Sequence, residues 1–289
     1  MVEADVAVLG CGLMGSALAR ALARAGREVV VWNRSFGKAT ALQGVGITAV
    51  ESVHAAVSTA PLIITCLNTY DTVVATLDDV AWPPRGKTLL NLSTGTPPQA
   101  EALDRWAADR SVLFLDGAIL AYPADIGEPH CQLLISGPTR VWTQNRDVIM
   151  DLGGSTKHIT ETIVGANVMD VGVIGAFYIS ALTAFIESAA YVTDYGISTE
   201  SLLEVSKPVL RLLDDTVAQA VSAIGEQDYR TDQATLGVYA EAVRTFSAEI
   251  SNRGNRSFMV AAAAASLSAA EEAGLGALGI FSVHQIARR

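Results

Sequence analysis

Three glycines with the spacing Gly10-x-Gly12-x-x-Gly15 follow a short apolar run, Val6–Leu9, and open a stretch with helical periodicity. Such glycines permit a tight turn, let the backbone approach a pyrophosphate and let a helix pack closely on a strand. The free N–H groups of the helix N-terminus favour the phosphate charge. The motif therefore predicts a dinucleotide site, and a glycine-rich turn without a ligand is the alternative. The expected contacts at the turn are Gly10, Gly12, Leu13, Met14 and Gly15.

The end of the second apolar run indicates which dinucleotide is bound. A site for NAD usually places Asp or Glu there to bind the ribose 2′-hydroxyl. This chain instead has Asn33, Arg34 and Ser35, with Asn33 18 residues after Gly15, and Lys38 follows one turn later. A guanidinium can grip a 2′-phosphate through paired charged hydrogen bonds. The sequence therefore predicts NADPH rather than NADH, and a solvated basic patch is the alternative.

Further cofactor contacts are expected in the loops after the later strands, where open α/β sheets bind ligands. The candidates are Cys66, Leu67, Asn68, Ser93 and Thr94. Asp116 comes after the sixth apolar run. We expect Asp116 to be a turn or cap residue rather than a catalyst, because a fixed negative charge there would need a partner.

Positioning these residues requires a sheet. Seven apolar runs of four to six residues, rich in Val, Ile and Leu, alternate with helix-like stretches over the first 160 residues or so. Runs without polar alternation are typical of parallel strands buried on both faces. The pattern predicts an α/β fold with a doubly wound Rossmann sheet. The runs are Val6–Leu9, Val29–Trp32, Ile47–Val50, Leu62–Cys66, Thr88–Leu92, Val112–Leu115 and Gln132–Ile135.

After about residue 160 the strand pattern ends and helices follow, which predicts domains at 1–161 and 162–289. Thr162–Tyr195 is expected to be one long helix between the domains, with helices near Thr199–Gly225, Thr231–Arg253 and Arg256–Ala273 after it. The first half of the long helix is apolar nearly all round, and such a helix must be surrounded by protein. We therefore expect a second subunit to wrap it in a homodimer. An ordinary core helix in a monomer is the alternative.

Composition excludes several classes of protein. Half of the 289 residues are hydrophobic and 17% are charged, which is unlike a disordered chain. A net charge of −10 disfavours nucleic acid and anionic membranes as partners. The three cysteines and four histidines show no spacing typical of a metal site. The longest uncharged run, Val171–Ile186, is 16 residues, below the ~20 that span a bilayer. The start lacks the basic residues of a signal peptide, so a cytoplasmic location is expected.

Taken together, the motifs resemble the imine reductase and reductive aminase family. The resemblance covers essentially the whole chain and is carried by GCGLMGSALA, VWNRS, NLSTGTP, DGAI with IGEP, and LLISGP. It implies NADPH-dependent reduction of a C=N bond in an imine or iminium. It also implies a domain-swapped homodimer, whose active site lies between one subunit's Rossmann domain and its partner's helical domain.

The related β-hydroxyacid dehydrogenases are the first alternative. That family needs a lysine in the interdomain helix as acid and base for the alcohol. The four lysines of this chain are Lys38, Lys87, Lys157 and Lys207, and none lies between Thr162 and Tyr195. The lysine positions therefore favour an imine reductase. A dinucleotide-binding protein without turnover is the second alternative.

The proton donor departs from the family pattern. Many imine reductases carry Asp or Tyr in a stretch similar to LYDLALL. Matching that stretch to Phe177–Leu182 puts Ile179 at the acid position and Glu187 at an aromatic position eight residues on. The usual donor is then missing.

Helical periodicity supplies a replacement. A polar stripe runs along one face, its members within about 40° of one another at about 100° per residue: Ser180, Thr183, Glu187, Tyr191 and Asp194. Glu187 is our first candidate to donate a proton to the substrate nitrogen or to stabilise an iminium cation. A glutamate bonded to Tyr191 or to a backbone group is the alternative. Tyr178, on the opposite face, is the second candidate. The predicted lining of the substrate pocket is Ile119, Ile179, Thr183, Tyr191 and Tyr239.

Overall fold

The computed structural model describes residues 3–82 and 86–287. The chain divides into two compact units, Met1–Ala176 and Phe177–Arg289, which we call the sheet unit and the helical unit. The division falls inside a helical stretch, whereas the sequence places the domain boundary at 161/162, where the strands end.

The described part of the sheet unit contains one eight-stranded sheet with the order β3-β2-β1-β4-β5-β6-β7-β8. The strands are β1 (Val6–Leu9), β2 (Val29–Trp32), β3 (Ile47–Ala49), β4 (Leu62–Thr65), β5 (Thr88–Asn91), β6 (Leu113–Ile119), β7 (Leu133–Ser136) and β8 (Lys157–Thr160). The chain winds outward from β1 in one direction and from β4 in the other, so the point where the strand order reverses lies between them. The expected α/β Rossmann-like sheet is confirmed.

Two features of the sheet differ from the prediction. Strand β7 runs antiparallel to β6, whereas the other neighbouring strands are parallel. Strand β8 had no counterpart among the seven predicted runs. Its sequence, KHIT, is half-buried or exposed because β8 is an edge strand, so it lacks the apolar run that marked the others.

Helices cover both faces of the sheet. They are α1 (Leu13–Arg24), α2 (Phe36–Thr40), α3 (Val53–Thr59), α4 (Tyr70–Leu77), α5 (Pro97–Asp109), α6 (Thr139–Met150) and α7 (Gly165–Met169). Several begin at side-chain caps: Ser52 Oγ accepts from Ala55 N at 3.1 Å, and Thr69 Oγ1 accepts from Thr72 N at 3.2 Å. These caps satisfy helix N–H groups that have no partner within the helix.

Successive residues of each central strand point to opposite faces and join two separate cores. Val6 and Val8 of β1 pack with Leu18 and Leu22 of α1 and with α6. Ala7 and Leu9 pack on the other face with α3, α4 and α5. Because both faces are covered, the strands are apolar throughout, which is why they could be recognised in the sequence.

The helical unit contains α8 (Ile179–Asp194), α9 (Thr199–Glu226), α10 (Leu236–Asn252) and α11 (Phe258–Ala270). A small core joins α10, α11 and the C-terminal residues, and includes Leu236, Ala240 and Leu267. The helix expected at Thr231–Arg253 begins later, at Leu236. The predicted C-terminal helix ends in a π-helical segment, Glu271–Leu275, where Gly274 has φ +84°.

The long helix predicted for Thr162–Tyr195 is composite. It starts at Gly165 with α7, continues as a π-helical segment over Asp170–Tyr178, and becomes α8 at Ile179. The assumption of 3.6 residues per turn therefore holds within α7 and α8 and fails in the π-helical segment between them. π-Helical backbone is rare, and the short π-bulges found within α-helices occur frequently at functional sites.

Much of the apolar surface of α8 and α9 is exposed. Neither helix contains a buried residue, although α9 is 28 residues long. By length and hydropathy alone, Gly165–Asp194 and Phe258–Leu275 would suffice to cross a membrane. This finding corrects the expectation that no apolar stretch reaches spanning length, because the helix extends beyond the uncharged run on which that expectation rested.

Candidate active site

The glycine turn has the geometry that a pyrophosphate site needs. Gly10 has φ +109°, and a Cβ there would lie 2.3 Å from the carbonyl oxygen of Cys66. A Cβ on Gly15 would lie 1.9 Å from the carbonyl oxygen of Gly10, so α1 packs on the turn at a distance that excludes any side chain. A Cβ on Gly12 would meet no atom within 4 Å. Gly12 therefore faces open space, where a ligand can approach the backbone.

The N-terminus of α1 is free to bind an anion. Its N-cap is Gly12, no side chain caps it, and its first turn carries no acidic residue. Asn33 holds the turn from the side, because its Oδ1 accepts from Cys11 N at 3.0 Å and its Nδ2 donates to Ser35 O at 3.1 Å. The free N–H groups and the positive end of the helix dipole suit a pyrophosphate.

The residues predicted to bind the 2′-phosphate are available at the surface. Arg34, Ser35 and Lys38 are all exposed at the end of β2 and the start of α2. Burial raises the pKa of the Cys11 thiol to about 11, and the nearby Lys38 ammonium opposes that rise. Asn68 is also exposed, in the loop after β4.

A cavity of about 220 Å³ lies at the carboxyl ends of β4, β5 and β6. It brings together six residues that the sequence assigned to the cofactor or the substrate: Met14, Cys66, Leu67, Ser93, Thr94 and Ile119. The rest of its lining is Leu92, Gly117, Ala118, Asn167 and Asp170. Side chains more than 100 residues apart in the chain thus meet where such sheets bind ligands.

Hydrogen bonds fix the loops around this cavity. Ser93 Oγ accepts from Leu67 N at 3.0 Å, which ties the loop after β5 to the loop after β4. Ser93 N donates to Asn91 Oδ1 at 3.2 Å. Thr96 is the N-cap of the next helix, α5, and its N–H donates to Gln99 Oε1 at 2.9 Å. The two loops are therefore preorganised before any ligand binds.

Asp116 differs from the prediction. It lies within β6 rather than in a turn, it is fully buried, and the side chains of Tyr70, Asn91 and Asn167 donate to its carboxylate. Burial raises the pKa of Asp116 to about 7, against the effect of these donors. The expectation of a turn or cap residue was wrong, because β6 is longer than the apolar run that marked it.

Asp170 is a site residue that the sequence analysis missed. It is half-buried, lines the cavity, and starts the π-helical segment one turn after Asn167. Burial raises the pKa of the Asp170 carboxyl, which favours the protonated form. One signal could have found it: between Val164 and Ala176, Asn167 and Asp170 are the polar residues in an otherwise apolar stretch.

Glu187, the first candidate for the proton donor, lies in the helical unit. Its Oε2 accepts from Met259 N at 2.9 Å, in the first turn of α11. It lines a separate, mainly apolar cavity of about 460 Å³ with Tyr191, Phe246 and Glu249 among others. This contact is the structural alternative foreseen for Glu187, a carboxylate bonded to a backbone group.

The other members of the polar stripe also bond within the helical unit. Tyr191 OH donates to Glu249 Oε1 at 3.5 Å, Arg253 Nε donates to Asp194 Oδ2 at 2.8 Å, and Thr183 Oγ1 donates to Ile179 O at 2.8 Å. The stripe therefore serves largely to join α8 to α10 and α11. Three residues from the predicted lists, Tyr178, Ile179 and Tyr239, are exposed in this unit. Their roles stay predictions.

A larger groove of about 1040 Å³ lies at the opposite edge of the sheet, near Asp5, Glu28, Lys87 and Arg140. It lies far from the glycine turn, at the amino ends of strands, where α/β sheets do not usually bind ligands. Among the described residues, no group of three His, Cys, Asp or Glu side chains could hold a metal ion. The smaller cavity at the carboxyl ends is therefore the better candidate active site.

Comparison with known proteins defines the class. Residues 5–175 match the NAD binding domain of 6-phosphogluconate dehydrogenase, and residues 164–289 match the C-terminal domain of NADPH-dependent reductive aminase-like proteins. A dinucleotide-binding oxidoreductase with a helical C-terminal domain fits both matches and the site just described. More narrowly, the chain belongs to the imine reductase and reductive aminase family.

Three relatives illustrate the match. The NADPH-dependent reductive aminase of Aspergillus oryzae is 28% identical over 82% of this chain and 81% of its own. The structure of an imine reductase from Myxococcus stipitatus in complex with NADP+ is 28% identical, covers 97% of this chain and 99% of that one, and has a TM-score of 0.91. A reductive aminase from Aspergillus terreus in complex with NADPH and ethyl levulinate is 28% identical over 99% of both chains, with a TM-score of 0.91.

Proposed function

We propose that this protein is an NADPH-dependent imine reductase, which transfers hydride to the C=N carbon of an imine or iminium and yields an amine. The observation that carries the proposal is the cavity at the carboxyl ends of β4, β5 and β6. It joins the predicted cofactor residues to a protonatable carboxyl, Asp170. The relatives that bind NADPH or NADP+ support the choice of coenzyme.

The protein's own residues hold the coenzyme. Gly12 and the uncapped start of α1 bind its pyrophosphate, and Arg34, Ser35 and Lys38 bind the 2′-phosphate. The loops carrying Leu67 and Ser93 approach the nicotinamide ribose. When bound, the coenzyme supplies the hydride, and the protein's task is to orient the C=N carbon and exclude water.

Asp170 is the proposed proton donor. Burial raises the pKa of Asp170, which favours the protonated form that can donate to the substrate nitrogen, and the ionised form would stabilise an iminium cation. The family stretch LYDLALL also matches Val168–Ile174, VMDVGVI, which puts Asp170 at the acid position. Tyr178 then falls at the aromatic position eight residues on. This alignment replaces the one that set Ile179 opposite the acid, because isoleucine cannot carry a proton.

The decisive experiment compares Asp170→Asn with Glu187→Gln on a small cyclic imine, following loss of nicotinamide absorbance. We expect Asp170→Asn to lose about 10²- to 10⁴-fold in kcat, the usual contribution of a general acid. The loss should be much smaller on a permanently charged iminium, which needs no proton. Glu187→Gln should stay within about twofold of the wild type. Equal rates for Asp170→Asn and wild type on the neutral imine would contradict the proposal, as would faster oxidation of small 3-hydroxy acids.

A homodimer with exchanged helical domains is part of the proposal. Its support is the apolar surface of α8 and α9, which a second copy would cover. We propose that the protein acts in the cytoplasm. Burial of these helices against a second copy would then explain why they are apolar enough to cross a membrane.

A further inference from the structure

A buried carboxylate lies beneath the candidate active site and takes no direct part in the proposed chemistry. Asp116 is fully buried in β6. Tyr70 OH donates to it, 2.7 Å from Oδ1 and 2.8 Å from Oδ2. Asn91 Nδ2 donates to Oδ1 at 3.0 Å, and Asn167 Nδ2 donates to Oδ2. Three side chains from three separate elements therefore converge on one carboxylate.

These donors are all neutral. No Lys, Arg or His of the described residues forms a salt bridge with Asp116. The titratable groups that act on it are Tyr70 and Asp170, and the charge of Asp170 raises the pKa of Asp116 further. Burial also raises the pKa of Tyr70, so its hydroxyl stays protonated and remains a donor. The charge at Asp116 is thus held by hydrogen bonds alone, which makes those bonds strong and their geometry exacting.

Each donor belongs to a segment of the cavity wall. Asn91 ends β5, and its Oδ1 accepts from Ser93 N. Tyr70 opens α4, and its ring lies over Gly95, where a Cβ would approach a ring carbon to 2.2 Å. Asn167 lines the cavity itself and precedes Asp170 by three residues, about one helical turn. The carboxylate therefore connects β5, α4 and α7 at one point.

We propose that Asp116 is a positioning residue that, in its ionised form, holds Asn167 and the first turn of α7, and thereby sets where Asp170 stands in the cavity. This inference rests on the proposed role of Asp170. Ionised Asp116 accepts from Tyr70, Asn91 and Asn167 at once. A protonated carboxyl has less acceptor capacity and needs an acceptor for its own hydrogen. Tyr70 OH already accepts from Asn167 Nδ2 at 2.8 Å, so protonation of Asp116 must release one of these bonds.

Hydrogen–deuterium exchange of the full-length protein tests the positioning directly. We expect the amides of Gly165–Asp170 to exchange faster at pH 6 than at pH 8, after correction for the intrinsic rate, because Asp116 gains a proton. Asp116→Asn should exchange fast at both pH values. Thr156→Val is the matched control, because Thr156 Oγ1 is buried in the same unit without a hydrogen-bond partner. It should behave as the wild type.

Kinetic measurements give a second readout, which would not change if Asp116 had only a structural role. With NADPH and a cyclic imine, Asp116→Asn should lower kcat about 10- to 100-fold, the scale of a misplaced catalytic group. The Kd of NADPH should stay within about threefold. The fall of kcat toward acid pH in the wild type should share its midpoint with the exchange transition.

Tyr70→Phe keeps the carboxylate and removes one donor, so it serves if Asp116→Asn does not fold. The lost hydrogen bond stabilised the ionised form of Asp116. The midpoint of the exchange transition and the midpoint of the fall in kcat should therefore both move to higher pH. Wild-type exchange of Gly165–Asp170 in Asp116→Asn, or unmoved midpoints in Tyr70→Phe, would overturn the inference. A wild-type enzyme that does not reduce imines would overturn the proposed function instead, and the exchange measurements would still decide the role of Asp116.

Discussion

Single residues decide which coenzyme the protein selects. At the end of β2 the position that carries a carboxylate in NAD-binding sites is followed by exposed Arg34 and Ser35. The amide of Asn33 is already engaged by Cys11 N and Ser35 O. We therefore propose that the guanidinium of Arg34, with Ser35 and Lys38 beside it, discriminates a 2′-phosphate from a 2′-hydroxyl.

Replacing Arg34 by alanine should weaken NADPH binding at least about tenfold, since a charged hydrogen bond contributes roughly 1.5–3 kcal/mol. The affinity for NADH should change little, because the lost group faces a phosphate that NADH lacks. Titration calorimetry with both coenzymes measures the two constants. Arg20→Ala, an exposed arginine of α1, is the control. Parallel losses for NADH and NADPH would contradict the assignment.

Asp116 should also make the free energy of unfolding depend on pH. Its pKa is about 7 in the folded protein, above the ordinary value of 3.8 that applies when unfolded, so the folded state binds the proton more tightly. Its contribution to the free energy of unfolding therefore falls as pH rises from about 4 to about 7. The Tm of the wild type, relative to Asp116→Asn, should decrease between pH 5 and pH 8. Calorimetric scans over that range check this, and a constant difference would refute it.

At the scale of elements, the glycines of the turn between β1 and α1 have two different tasks: close packing and access for a ligand. Gly10 and Gly15 are required by packing, because the space around them is filled by backbone. Gly12 is not required by packing, because its surroundings are open. We propose that its lack of a side chain serves a ligand.

A pair of alanine variants distinguishes these tasks. Gly15→Ala should destabilise the protein by at least about 1–3 kcal/mol, because a Cβ would meet the Gly10 carbonyl at 1.9 Å. Gly12→Ala should leave the Tm within about 2 °C, as expected for a change of less than 0.5 kcal/mol, yet weaken NADPH binding. Thermal unfolding and coenzyme titration together decide the matter. A large loss of Tm in Gly12→Ala would show that packing, not the ligand, requires that glycine.

The π-helical segment is the other element with a consequence for function. It begins at Asp170 and ends at Tyr178, the two residues that the proposed alignment places at the acid and aromatic positions. A wider turn changes which residues share a face. Angles taken at 3.6 residues per turn therefore apply to the stripe in α8 and give no guide to Asp170.

For the whole molecule, the exposed apolar face of the helical unit is the feature that needs a partner. On α9 the side chains of Leu203, Leu210 and Val221 share one face at about 100° per residue and are all more than half exposed. Several exposed apolar side chains on one helix face are typical of an interaction site. A second copy of the chain would bury this surface. Such burial would explain why half of the residues are hydrophobic.

Light scattering after size-exclusion chromatography should therefore give twice the chain mass of 30.3 kDa. The double variant Leu210→Glu with Val221→Glu should shift the mass toward that of a single chain, because two charges would be buried without partners. Gln219→Glu, at an exposed polar position of α9, is the control and should stay dimeric. A wild type that elutes as a single chain would contradict the dimer.

The sequence by itself determined the parts of the protein whose signals are local. Continuous apolar runs marked the strands buried on both faces, and glycine spacing marked the turn that opens α1. Tertiary structure decided what depends on neighbours distant in the chain. Strand β8 carries no apolar run, because it lies at the edge of the sheet and its residues are half-buried or exposed. Asp116 looked like a loop residue, because its burial comes from donors 25 to 51 residues away. Asp170 escaped notice because a π-helical backbone and the walls of a folded cavity give that carboxyl its place and its raised pKa.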